Sequence, residues 1–158
     1  MTKVLVTGMS AAGKSTLIAE LARRGYNAVD LDDPRWSEHG IAEYSGEREW
    51  LWREDAVRHL LDAHDSSTPF VAGCASNQPS FYARFDHIVL LSAPVAVMLK
   101  RLATRTNNPF GKHPEELERI LRNKQTVEPM LRRIATLELD GTSPLDNLVR
   151  ALVGLIDT

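Results

Sequence analysis

Two groups of residues in this sequence have types and spacing suited to chemistry. The first is Gly8-Met9-Ser10-Ala11-Ala12-Gly13-Lys14-Ser15, which fits G-x-x-x-x-G-K-[ST] at every position. The two glycines let the backbone turn with its amides facing inward, a nest for anionic oxygens. A helix starting near Lys14 adds the partial positive charge of its N-terminus. Lys14 can then reach the β- and γ-phosphates of a nucleotide while Ser15 offers a hydroxyl to magnesium. Gly8, Ser10, Ala11, Ala12, Gly13, Lys14, Ser15 and Thr16 are therefore the expected contacts of ATP with Mg2+. The second group is the carboxylates of Ala28–Asp33 (AVDLDD). On a strand, a spacing of two turns Asp30 and Asp32 to the same face. Asp30 could hold magnesium through water, and Asp32 could orient an attacking hydroxyl or accept its proton.

Such groups need a scaffold, and the hydrophobic pattern supplies one. Lys3–Thr7 is a short β-branched run, and Lys14–Arg24 has helical periodicity closed by Gly25. Asn27–Leu31, Pro69–Cys74, Asp86–Leu91 and Thr136–Asp140 read as further strands. Glu47–His64 carries a helical stripe at Trp50, Ala56, Val57, Leu60 and Leu61. Pro94–Arg105 and Leu145–Ile156 read as helices, as does Glu115–Ala135, which Pro129 must kink or split. Thr106–Pro114 (TNNPFGKHP) reads as a loop, with Gly111 as a hinge and Lys112 as a cation that a closing lid could use. Strands alternating with helices predict one α/β domain over residues 1–158: a parallel sheet covered on both faces, three layers in all. Ligands then bind at the carboxyl ends of the strands, where both groups fall.

Composition narrows the classes. A net charge of −2 over 158 residues argues against generic nucleic-acid binding or adhesion to an anionic membrane. The apolar stretch from His87 to Leu99 is too short to span a bilayer. Cys74 is the only cysteine, so no intrachain disulfide forms and a cytoplasmic, reducing location fits. The five histidines show no metal-ligand spacing. A GTPase is disfavoured because Asn123-Lys124-Gln125-Thr126 is not N-K-x-D and D-x-x-G is missing.

The P-loop, the Asp30-Leu31-Asp32 triplet and the run Gly46-Glu47-Arg48-Glu49-Trp50-Leu51 together resemble the shikimate kinase-like branch of the nucleoside-monophosphate-kinase-like P-loop kinases. The resemblance extends over nearly the whole chain. It implies a five-stranded parallel sheet ordered 2-3-1-4-5 and a short lid at about 106–114. It also implies transfer of the γ-phosphoryl group of ATP to a hydroxyl of a small-molecule acceptor by a monomer. By the same resemblance, Asp32 and Gly73 meet the acceptor, and Arg132 contacts it. Arg101 and Pro144 flank the adenine, and Arg105 borders the lid as a catalytic cation. The arginine that grips the shikimate carboxylate in that family falls on Leu51, which cannot pair with a carboxylate. Arg48 and Arg53 are the nearby cations. Shikimate itself is therefore not the expected acceptor, and Trp50 could line a different acceptor pocket. Three other readings share these motifs: a nucleoside or nucleotide kinase, a kinase for an antibiotic or nucleic-acid end, and an ATP-binding regulatory or partner-binding protein without acceptor chemistry.

Overall fold

The computed structural model describes residues 2–43, 45–62, 68–105 and 113–157. β1 (Val4–Thr7) is fully buried at every residue, as the central strand of a sheet covered on both faces must be. After it come α1 (Lys14–Arg23), β2 (Ala28–Asp30), β3 (Ser37–Ile41), β4 (Arg48–Trp52) and α2 (Glu54–Asp62). The chain continues with β5 (Phe70–Ala72), a 3-10 helix (Gln78–Arg84), β6 (His87–Ser92) and α3 (Val95–Thr104). It closes with α4 (Pro114–Thr126), α5 (Glu128–Ile134), β7 (Leu137–Asp140) and α6 (Leu145–Ile156).

The main sheet is parallel throughout, in the order β2-β5-β1-β6-β7. Counted along the sheet's own strands, this is the expected 2-3-1-4-5. Alternate side chains of β1 feed opposite layers. Val4 and Val6 join Leu17, Leu21, Leu148 and Leu152 of α1 and α6 on one face. Leu5 joins Val57 and Leu61 of α2 on the other, where Leu90 of β6 meets Met98, Leu102, Ile120 and Leu131 of α3, α4 and α5. Helices thus cover both faces, giving the three-layer α/β/α architecture.

Two elements differ from expectation. Residues 47–53 are not helical: β3 and β4 form an antiparallel hairpin, a second sheet pairing Ser37 with Trp52 through Ile41 with Arg48. The tryptophans at 50 and 52 fit a period of two as well as a helical stripe, and aromatic residues favour a pleated surface. The helix starts only at Glu54, with Glu54 and Asp55 in its first turn, where acidic side chains stabilise it. The long helical segment near the C-terminus does split, but at Val127. Pro129 then occupies the first turn of α5, where its missing N–H breaks no helical bond. Of the expected lid at about 106–114, residues 106–112 lie outside the described residues.

The phosphate-binding segment is pressed against its neighbours by close backbone contacts. A Cβ on Gly8 (φ +151) would lie 2.2 Å from the carbonyl oxygen of Leu91, and one on Gly141 would lie 2.4 Å from that of Ala12. Only glycine fits either place. Gly154, in contrast, has open space around its Cβ position within α6. Gly141→Ala is expected to lower stability by about 3 kcal/mol, as overpacking against backbone does. Gly154→Ala should raise it by about 0.5–1 kcal/mol through helix propensity. Urea denaturation midpoints of the two variants measure both effects.

Candidate functional site

The loop between β1 and α1 combines three unusual backbone conformations. Gly8 (φ +151) and Gly13 (φ +110) adopt positive φ, and so does Ala11 (φ +66), where a side chain makes that region costly. Strain at a non-glycine residue is tolerated where the surroundings over-determine the loop, as they do here. α1 begins at Lys14, so its first amides have no carbonyl of an earlier turn to meet, and no acidic side chain sits in that turn. The N-terminal positive potential is left for an anion. Lys14 curls back over the loop, donating to the carbonyls of Gly8 (2.6 Å) and Met9 (2.9 Å). A cleft of ≈ 380 Å³ runs from Ser15 and Thr16 along α1 to Leu145 at the start of α6.

Asp30 ends β2 directly beside this loop. It accepts the Ser15 hydroxyl at 2.8 Å and, through its other oxygen, the Asp32 amide at 3.0 Å. A hydroxyl and a carboxylate held together are hard oxygen donors, the chemistry magnesium prefers. No cluster of three or more His, Cys, Asp or Glu suited to a metal occurs among the described residues. The two donors therefore fit an ion that takes its remaining ligands from phosphate and water rather than an all-protein cage.

Asp32 is solvent-accessible, yet the protein around it displaces part of its hydration, which pushes its carboxyl above the ordinary aspartate range. The Lys14 ammonium opposes this, Asp30 adds to it, and the Trp50 indole N–H and the Arg105 guanidinium pull it back down. Arg105 feels the reciprocal effects: desolvation lowers its pKa and Asp32 raises it. The expected catalytic trio Lys14, Asp32 and Arg105 is thus within mutual electrostatic reach. Trp50 is presented by the hairpin, with His39 packed edge-on against it across the strands (centroids 4.9 Å, 67°).

The remaining expected residues fall in distinct places. Arg101 donates to the carbonyls of Ala11 (3.0 Å) and Gly141 (2.8 Å), joining the P-loop to the turn before Pro144. That turn is held by Asp140, whose carboxylate accepts both the amide and the hydroxyl of Thr142. Gly73 is buried at the end of β5, where a Cβ would press on the Trp52 indole (3.0 Å) and on Leu31 (3.2 Å). Its role in this structure is to make room for Trp52. Arg132 is not brought to the Asp32 cluster. Its guanidinium pairs with Glu138 (2.8 and 3.0 Å) and Glu128 (3.1 Å), beside β7 at the sheet edge opposite β2. These bonds hold Glu138 below the usual glutamate range and raise the pKa of Arg132. Leu51 lies on the face of β4 opposite Trp50, and Arg53 is engaged by Glu38 (3.2 Å) and the Pro34 carbonyl (3.2 Å). Arg48 shares the Trp50 face.

The sequence reading missed Asn77 and Gln78, which hydrogen-bond to the hairpin and to Thr7 respectively. Their only signal was a short polar run between a buried strand and the aromatic pair Phe81-Tyr82.

Since ionised Asp32 is the form that accepts a proton, its raised pKa places the acid limb of any Asp32-dependent activity above that of an ordinary aspartate. Arg105 favours the ionised form, so Arg105→Ala should move that limb to higher pH, and Trp50→Phe should move it the same way. The pH profile of kcat/KM for the three proteins measures this.

A family model described as an AAA domain (AAA_18) matches residues 4–123. Over 125 residues the chain is 26% identical to a nucleotide-binding protein of Thermosipho africanus, covering 78% of this chain but only 43% of that protein. It thus spans less than half the length of that relative. Over 146 residues it is 27% identical to a shikimate kinase of Mycobacterium tuberculosis, covering 87% of this chain and 83% of that one. The solved shikimate kinase of Bacteroides thetaiotaomicron matches 99% of both chains with a TM-score of 0.66 at 19% identity, a likeness of fold. No helix among the described residues is long and apolar enough to cross a membrane.

Proposed function

The chain belongs to the AAA-domain family that its residues 4–123 match, and on that basis we propose that it is a P-loop kinase transferring the γ-phosphoryl group of ATP to a hydroxyl of a small molecule. The observation that carries this reading is the position of Asp32. A bare nucleotide-binding loop needs only Lys14, Ser15 and Asp30. This chain adds a second carboxylate, accessible and electrostatically coupled to Lys14, Arg105 and Trp50. That is where a base for an acceptor hydroxyl belongs.

In this reading, Lys14 releases the Gly8 and Met9 carbonyls and turns its ammonium to the β- and γ-phosphates. The loop amides of Ser10–Thr16 cradle the phosphate oxygens. Ser15 and Asp30, already joined by a hydrogen bond, would hold magnesium, which would supply charge neutralisation for the phosphates. Asp32 orients the acceptor hydroxyl and takes its proton, while Arg105 and Lys14 offset the charge developing on the transferred group. Arg101 keeps the P-loop and the Asp140–Pro144 turn together beside the base. Trp50 forms an apolar wall of the acceptor pocket. The two relatives named as shikimate kinases support the reaction class. The acceptor of this chain is a hydroxylated small molecule bound without an arginine at position 51, where Leu51 stands, and the reaction takes place in the cytoplasm.

The test is acceptor-dependent ADP release with Mg-ATP and a panel comprising shikimate, gluconate, nucleosides, nucleoside monophosphates and aminoglycosides. One acceptor class should raise turnover above the water background. Lys14→Ala and Asp32→Asn should each lower kcat by roughly 10²–10⁴-fold. ATP binding with no acceptor-dependent turnover, unaffected by Asp32→Asn, would replace the kinase with a nucleotide-dependent regulatory protein.

A further inference from the structure

Three polar side chains meet where the phosphate-binding end of the sheet faces the hairpin. Thr7 is fully buried and Gln78 is 2% exposed. Burying a primary amide is tolerable only when its polar atoms are paired, and here they are. The Gln78 oxygen accepts the Ala75 amide at 3.0 Å, and its nitrogen donates to the Thr7 hydroxyl at 3.1 Å and the Tyr82 hydroxyl at 3.0 Å. Thr7 directly precedes Gly8, and Ala75 lies just past the end of β5. Gln78 therefore fixes the root of the P-loop against the segment following Gly73.

Its neighbour Asn77 engages the other side. The Asn77 oxygen accepts the Trp52 amide at 3.2 Å, and its nitrogen donates to the Trp52 carbonyl at 2.9 Å. The nitrogen also reaches Glu54 at the start of α2, at 3.3 Å. The outer edge of β4 pairs with no other strand among the described residues, so the carboxamide supplies the donor and the acceptor that a third strand would have offered. Trp52 is two residues from Trp50 on the same face of β4, and the Trp50 side chain favours the ionised form of Asp32. Two adjacent side chains thus join the root of the phosphate-binding loop to the strand that presents Trp50.

We propose that Asn77 and Gln78 are positioning residues that set the separation between the phosphate side and the acceptor side of the site. This rests on the kinase reading for what the hairpin positions, while the bridge itself rests on the hydrogen bonds alone. A misplacement of about 1 Å between reacting groups is enough to slow a transfer markedly, which makes such a brace a kinetic device as well as a structural one. Asn77 governs the acceptor side, because its bonds go to the hairpin. Gln78 governs both, because Thr7 adjoins Gly8.

The test uses Asn77→Ala, at a half-buried position, together with Gln78→Met. In Asn77→Ala the acceptor KM is expected to rise about tenfold, with the dissociation constant of a non-hydrolysable ATP analogue unchanged within about twofold. Backbone amides of residues 48–52 should exchange with solvent faster. Gln78→Met should weaken both acceptor and nucleotide. Unchanged exchange at residues 48–52 in Asn77→Ala, or equal weakening of nucleotide and acceptor in that variant, would overturn the proposal. If no acceptor supports turnover by the unaltered protein, the kinase reading alone fails. Faster exchange with unchanged nucleotide affinity would then still uphold the bridge, and unchanged exchange would still sink it.

Discussion

The site depends on how closely three backbone segments approach one another around the phosphate-binding loop. Gly8 packs on the Leu91 carbonyl at the end of β6, and Gly141 packs on the Ala12 carbonyl from the turn after β7. Neither distance leaves room for a Cβ. Between these two contacts Ala11 sits at positive φ. Arg101 completes the clamp, since two of its nitrogens are used on the carbonyls of Ala11 and Gly141. A guanidinium suits this task better than an ammonium because its donors diverge at a fixed angle.

Against this rigid half stands a carboxylate whose charge is contested. Loss of hydration and the Asp30 charge favour the protonated form of Asp32, whereas Lys14, Trp50 and Arg105 favour the ionised one. Both influences come from residues with other duties: Asp30 also accepts Ser15, and Lys14 also serves the loop. The proton affinity of Asp32 is therefore coupled to whatever occupies the phosphate site.

The α/β order, the parallel sheet and the loop–helix junction were all legible, because each is written in local signals: a β-branched run, a glycine motif, a helical period. The Asp30–Asp32 spacing was legible too, but not as a strand period: β2 ends at Asp30, and Asp32 lies in the turn beyond it with its amide on the Asp30 carboxylate. The hairpin was not. Ser37–Ile41 (SEHGI) is polar, mostly exposed and interrupted by glycine, with no strand signature of its own. Its partner Arg48–Trp52 runs without a break into a helix, so one stripe of apolar residues served two structures. Arg132 was placed by resemblance, but its position is decided by Glu128 and Glu138, six or fewer residues away in sequence and indistinguishable there from ordinary surface charges. Asn77 and Gln78 act through contacts up to 71 positions distant, which no short-range pattern can announce.

The separation of the two sheets has a consequence for descent. The β3–β4 hairpin shares no ladder hydrogen bond with the five-stranded sheet and is inserted between two of its parallel strands. Changes in its length or surface charge, away from the buried Trp52, therefore leave the register of the main sheet untouched. Selection can thus vary the exposed face of the hairpin while the five-stranded sheet and the close glycine contacts around Gly8 and Gly141 are inherited intact. A lineage built on this plan can vary one exposed hairpin and keep one parallel sheet.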